Sequence, residues 1–191
     1  MTAGLPWLSE PDALEWRDPF TGYDCRILRA SMAQYLGHLC GYVRIPEDHP
    51  FYRCHYREPV PERAAHHIAR VMASPVGKRG VMDWMFSSTD TPHIGLLLNV
   101  HGSVTWAGSP RDDPGYWYGF DCGHCDDLSP GMLMLSNELS SLFRRQTYRT
   151  LEYVQSECTS LAAQLHRLAQ PAPLRLGYAP APTPESALTR G

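Results

Sequence analysis

The spacing of apolar residues divides the chain into a front part with strand character and a back part with helical character. In Asp24–Ile45, DCRILRASMAQYLGHLCGYVRI reads as two strands joined by a turn near Gly37, with Tyr42, Val43 and Ile45 carrying the β-forming character of the second. Pro46 and Pro50 end it. From His93 to His101 the alternation is regular: Ile94, Leu96, Leu98 and Val100 fall on one side, and His93, Gly95, Leu97, Asn99 and His101 on the other. That pattern predicts a strand. Gly102 marks a bend before a short strand, Val104–Trp106, expected to lie between its neighbours in the sheet. Turn signals at Gly108-Ser109-Pro110 and Asp113-Pro114-Gly115 precede a further strand, Tyr116–Asp121.

After Ser129-Pro130-Gly131 the period becomes helical. Leu133–Arg145 is a short helix ending in two arginines, which suit a helix C-terminus. Tyr148–Leu168 carries a single apolar stripe of Leu151, Val154, Cys158, Leu161, Leu165 and Leu168, with Thr147 as its expected N-cap. A stripe of that width docks on the chain's own sheet; the alternative is a homo-oligomer contact. Pro61–Ser74 has a weaker helical stripe, and Val81–Phe86 is apolar but too short to assign.

Together these elements predict a single α+β domain, a mainly antiparallel sheet packed by a long C-terminal helix and one or two shorter helices, over residues 23–169. Residues 1–22 read as an N-terminal arm with one short helical turn near Pro11–Trp16, stapled to the body by Trp7, Trp16 and Phe20. Residues 170–191 read as a mobile Pro/Ala-rich tail. A length of 191 residues with 43% hydrophobic and 19% charged residues is enough for one real core. A net charge of −3 gives no strong nucleic-acid footprint, and no apolar run is long enough to span a membrane. Lys78 is the one lysine; the other basic residues are arginine. A cytoplasmic protein with six reduced cysteines is expected.

The candidate chemistry concentrates between His93 and Pro130. His101 at a strand end, Asp121 at another and His124 in the following turn are the expected catalytic or metal-binding residues, for Zn²⁺ or another divalent ion that would activate water. The competing reading is a metal-free pocket in which Asn99, His101, Asp121, His124, Asp127 and Arg149 bind a small ligand. The plainest reading has Asp121 capping the turn at Cys122–Cys125 and His101 bonding the backbone near Gly102. Arg144, Arg145 and Arg149 bracket the start of the last helix, where an anion could meet its N-terminus or Arg149 could pair with Glu152 or Asp127. Tyr52, Tyr56, Trp84, Trp106, Trp117 and Tyr118 could stack on a base or fill the core. Cys122-Gly123-His124-Cys125 spells a redox motif, but Asp126, Asp127 and a Pro-containing turn follow where a helix would be needed to activate the thiol. The chain contains no phosphate-loop, nucleophile-elbow or zincin pattern.

Four stretches, CGYVRIPEDHPFY (Cys40–Tyr52), NVHGSVTWAG (Asn99–Gly108), WYGFDCGHCDDLSPG (Trp117–Gly131) and YRTLEYVQSEC (Tyr148–Cys158), together resemble a family of small proteins encoded by bacteriophages and prophages. Its pattern has a Gly-Tyr-Val strand followed by His-Pro, then His-Gly-Gly-Leu-Thr, Gly-Phe-Asp-Cys-Ala-His with a later acid, and a Tyr-Arg-x-x-x-Tyr-Val helix. The family-like polar residues are His49, His101, Asp121, His124 and an acid at Asp126 or Asp127. Ser103 departs from the family's second glycine, and Cys125 stands where a small non-cysteine residue is usual. The resemblance implies a phage-type accessory protein acting in an infected or lysogenic bacterial host, and it supplies no activity. The functional expectation is binding of a small phosphorylated or nucleotide-like ligand, with sequestration of a host defence signal. The alternatives are a metal-dependent hydrolase using the same cluster and a protein-binding inhibitor without a small-molecule site.

Overall fold

The computed structural model describes residues 5–61, 93–135 and 145–170. Its frame is a five-stranded antiparallel sheet in the order β1-β2-β3-β5-β4, formed by β1 (Ala13–Arg17), β2 (Asp24–Arg29), β3 (Leu39–Ile45), β4 (Trp106–Gly108) and β5 (Tyr116–Asp121). Short helices are α1 (Met32–Tyr35), α2 (Ile94–Leu97) and α3 (Pro130–Leu135), and one long helix, α4 (Leu151–Ala169), lies across β2 and β3. The α+β class read from the chain is therefore correct. Among the described residues no helix is long and apolar enough to cross a membrane.

The register explains the core. Cys25 and Ile27 on β2, Gly41 and Val43 on β3, and Tyr118 and Phe120 on β5 are partners or neighbours on one face. Against that face α4 lays Val154, Cys158, Leu161, Leu165 and Leu168, all buried; Leu151, the first residue of the expected stripe, is only half-buried. Gly41 is needed directly beneath the helix: a methyl group there would lie 2.5 Å from Phe120 Cζ and 2.6 Å from Cys158 Sγ. On the opposite face, Tyr42 meets Trp106 edge-on and Arg26 lies 5.0 Å over the Trp117 ring.

Several elements differ from expectation. The turn expected around residues 11–16 is strand β1, so the sheet begins inside the segment read as an arm. Its alternation directs Leu14 and Trp16 inward, and Glu15 pairs with Arg26 across the ladder at 2.8 Å. Trp7 is buried against Tyr148, whereas Phe20 is exposed and staples nothing. The strand expected over His93–His101 is not in the sheet: residues 94–97 turn once as α2, and Leu97 and Leu98 are both buried in succession. The short strand expected at Val104–Trp106 forms as β4, two residues later, at the edge of the sheet and not between partners. Helix α4 starts three residues after the expected Tyr148, because the cap is Thr150, whose Oγ1 accepts from Tyr153 N–H at 3.2 Å, and not Thr147. Where the Leu133–Arg145 helix was expected, α3 begins three residues earlier, at Pro130, and is described to Leu135, while Arg145 lies in a turn; residues 136–144, the predicted elements at Pro61–Ser74 and Val81–Phe86, and the tail after residue 170 lie outside the described residues.

Substituting Gly41→Ala should cost about 1–3 kcal/mol, as expected for an extra methyl forced into a packed core. Urea unfolding of the variant checks this, with an unchanged midpoint contradicting the close approach of α4 to β3.

Candidate functional site

Two tethers to α4 build the site. The first acts on the loop after β5: Leu128 N–H donates to Thr147 O, and Thr147 N–H donates to Asp126 O, both at 3.0 Å. This short parallel bridge brings Asp127 to the lead-in of α4, beside Arg149. The second acts on the segment that was expected to be a strand. Gln164 accepts from Asn99 N–H and donates to Asn99 O, each at 2.7 Å, so a side-chain amide supplies the bonds a neighbouring strand would have made. Glu157 then accepts from His101 N–H at 2.7 Å. The imidazole of His101 is thereby held between Tyr153 and the Asp127 loop.

Asp127 is the centre. Its side chain is 1% exposed, and its two oxygens are divided among three neighbours. Oδ1 accepts from Arg149 Nε at 2.7 Å. Oδ2 lies 2.7 Å from His101 Nε2 and accepts from His124 N–H at 3.2 Å. Burial alone would raise this carboxyl; His101, His124 and Arg149 outweigh burial and hold it well below the usual carboxylate range. The opposite nitrogen of His101, Nδ1, is 3.1 Å from the Tyr153 hydroxyl. Asp127, His101 and Tyr153 thus form a continuous hydrogen-bonded line from the buried loop to α4.

His124 closes the arrangement. Its ring packs on Gly102, where a Cβ would fall 1.9 Å from His124 Cε1, and Gly102 has φ +63°. Only glycine satisfies both requirements. Nδ1 of His124 lies 3.4 Å from Asp127 Oδ2, close enough for an ion pair but poorly aligned, so this buried nitrogen has no hydrogen-bond partner among the described residues. The Asp127 carboxylate raises the His124 pKa above its ordinary value; burial opposes this and the Asp121 charge adds to it. Ser103 follows Gly102 with φ +84°, a left-handed conformation that a serine adopts at a cost. Position 103 is therefore one where the backbone favours glycine.

The outer side of the cluster is cationic and aromatic. Arg149 uses Nε on Asp127, and its terminal nitrogens bond no described residue; the guanidinium lies 5.2 Å over the Tyr153 ring. Side-chain exposures of 26% for Arg149 and 35% for His124, against 12% for His101, show which groups a solute can reach.

Of the expected site residues, His101, His124, Asp127 and Arg149 converge. Asp121 does not join them: its oxygens accept from Thr105 Oγ1 at 2.8 Å and Gly123 N–H at 3.0 Å, which is the turn-capping role. The carboxylate that meets both histidines is Asp127, because the turn carries the chain past Asp121 before the bridge to Thr147 pulls it back. Asn99 contributes its backbone to Gln164. His49 is a core residue, with Nε2 3.0 Å from Leu165 O and Nδ1 accepting from Phe51 N–H. The N-terminus of α4 is taken by Glu10 from the chain start, which accepts from Leu151 N–H at 3.0 Å and lies within hydrogen-bond reach of Tyr148 Oη and Arg29. The chain's own Glu10 carboxylate therefore takes the place expected for an anion at that helix end. Burial, reinforced by the Asp127 charge, pushes the Cys122 thiol far above its ordinary range, the opposite of a redox-active cysteine. Tyr118 belongs to the core and Trp117 lies under Arg26; Trp84 is outside the described residues.

Tyr153, Glu157 and Gln164 were not anticipated as site residues. Tyr153 and Glu157 are four apart on α4, at the border of its apolar stripe, and their spacing is the one signal that pointed to a shared face. No protein-family model, curated protein or solved structure matches the chain.

Replacing Asp127 by Asn should destabilise the fold by about 3 kcal/mol, since it leaves charged partners around a buried group that no longer balances them. Asp121→Asn should cost less, about 1 kcal/mol, because it disturbs a turn only. Parallel denaturation curves rank the two, and equal losses would contradict Asp127 as the centre. In the same assay Ser103→Gly should be neutral or stabilising by up to about 1 kcal/mol; a clear loss would mean the serine hydroxyl matters more than the backbone.

Proposed function

We propose that this protein binds a small phosphorylated or nucleotide-like ligand at the face formed by Arg149, His124 and Tyr153. The observation that carries this reading is the division of labour at Arg149. Its Nε is fixed on the buried Asp127, so the terminal nitrogens are pre-oriented and remain available for the paired oxygens of a phosphate. His124, partly exposed, adds a second nitrogen-bearing group, its ring 3.4 Å from the same carboxylate that anchors the arginine. Tyr153 beneath the guanidinium supplies an aromatic surface.

The arrangement favours holding a ligand over transforming it. Both nitrogens of His101 are engaged, one with Asp127 and one with Tyr153, so this histidine acts as support for the binding groups. Burial raises the Tyr153 pKa, with the Glu157 charge adding to the effect, and this disfavours a phenolate nucleophile. A phage-borne accessory protein of the kind its motifs resemble would use such a face to sequester a host defence signal.

Binding of nucleoside mono-, di- and triphosphates and cyclic nucleotides, with unphosphorylated nucleosides as controls, is read by melting temperature and calorimetry. At least one phosphorylated compound should stabilise the protein, the nucleosides should not, and Arg149→Gln should weaken binding roughly tenfold or more, the scale of a lost charge-assisted hydrogen bond. The bound compound should be recovered unchanged after heat denaturation. Binding that is indifferent to Arg149, or recovery of a hydrolysed product with turnover in excess compound, would refute the reading.

A further inference from the structure

We propose that His101, His124 and Asp127 form a divalent metal site, with Zn²⁺ or an ion of similar preference as occupant. One nitrogen from each histidine and one carboxylate oxygen lie within 4.8 Å of one another. Two of these separations, 2.7 Å from His101 Nε2 to Asp127 Oδ2 and 3.4 Å from His124 Nδ1 to the same oxygen, bracket the roughly 3.3 Å between neighbouring donors around a tetrahedral zinc ion, taken from bond lengths near 2.0–2.1 Å. The same atom pair carries a further sign: the buried Nδ1 of His124 faces Asp127 Oδ2 without forming a hydrogen bond. A buried, unbonded imidazole nitrogen beside a carboxylate oxygen is unfavourable unless a proton or a metal ion lies between them.

The surroundings have the form of a metal site's outer contacts. His101 Nδ1 lies 3.1 Å from Tyr153 Oη, so an Nδ1–H donated to the phenol would leave Nε2 as a donor to metal. On metal uptake the 2.7 Å hydrogen bond between His101 Nε2 and Asp127 Oδ2 is exchanged for two coordinate bonds, and the proton shared by that pair leaves to solvent. Arg149 bonds Oδ1 and leaves Oδ2 to the ion. Charge favours a cation despite that guanidinium: Asp127 and Glu157, which bonds His101 N–H, outnumber the single Arg149. Three protein ligands leave a divalent ion further coordination positions for water or a ligand oxygen.

This inference rests on the binding reading above and refines it. A phosphorylated ligand would meet both the ion and the terminal nitrogens of Arg149, and the ion would offset the surplus carboxylates. Sequence patterning pointed to Asp121 as the third ligand, whereas the geometry selects Asp127.

The test is equilibrium dialysis of the full chain against Zn²⁺, with metal analysis, and visible absorption after Co²⁺ substitution. Wild-type protein should take up stoichiometric Zn²⁺ and give the intense visible bands of low-coordinate Co²⁺. His124→Gln, at the more exposed ligand, should stay folded by circular dichroism and weaken metal affinity by about a hundredfold, the upper end of effects seen even for outer contacts. Asp121→Asn should retain affinity within about threefold, less than the tenfold minimum for a lost outer contact. No stoichiometric uptake by wild-type protein, or equal affinity in wild-type and His124→Gln, overturns the site. Arg149→Gln separates the two proposals: metal uptake retained while 5′-AMP binding is lost supports both. Binding of 5′-AMP that survives in EDTA, with no metal uptake, overturns the metal site and leaves the ligand reading standing.

Discussion

One buried carboxylate organises the region that matters here. Asp127 has almost no contact with water, yet it stays ionised because His101, Arg149 and the His124 backbone all point at it. A charge in that position is costly unless each oxygen is compensated, and the cost falls on any arrangement that moves one partner away. Three parts of the chain are thereby tied together: the bend at Gly102, the turn after β5 and the lead-in to α4. The carboxylate acts as a three-way junction between segments that are far apart in sequence.

Helix α4 makes the junction possible by serving two purposes. Its apolar stripe covers the sheet and supplies much of the core, while its flanks replace missing sheet hydrogen bonds. Gln164 and Glu157 pair with the backbone of Asn99 and His101 much as a strand would. The amides of Asn99 and His101 are therefore paired although this segment lies outside the sheet. The helix end is itself closed by Glu10, which also approaches Arg29 and Tyr148, so the first residues of the chain help to set where α4 begins.

These constraints separate structural from accessible polar groups. Asp127 and His101 lie inside, and His124 and Arg149 reach the surface in orientations decided by the buried pair. Such an arrangement limits the entropy a binding site must lose when it meets a ligand. It also places imidazole nitrogens and a carboxylate oxygen at short mutual distances, the condition on which the proposed metal site depends.

Local pattern was sufficient for the elements whose signal is periodic. The α4 stripe and the two strands within Asp24–Ile45 describe faces that must be buried, and burial is what the pattern records; Tyr116–Asp121, an apolar run bounded by turn signals, is buried on both faces. The same reasoning failed at His93–His101, where regular alternation met a helix offering side-chain partners, and at β1, where Pro11 obscured an edge strand. For the site, the residues and motifs of the chain pointed to the two histidines and Arg149 but selected Asp121 as the carboxylate partner, where the structure uses Asp127. Both are acids near the same turn, and only the Leu128–Thr147 bridge determines which one faces His101. Amino-acid sequence alone determined the fold class and the chemistry available, because those follow from short-range periodicity and residue type. Tertiary structure alone decided which carboxylate the imidazoles share, because that depends on hydrogen bonds between residues separated by some twenty to sixty positions, for which no local pattern exists.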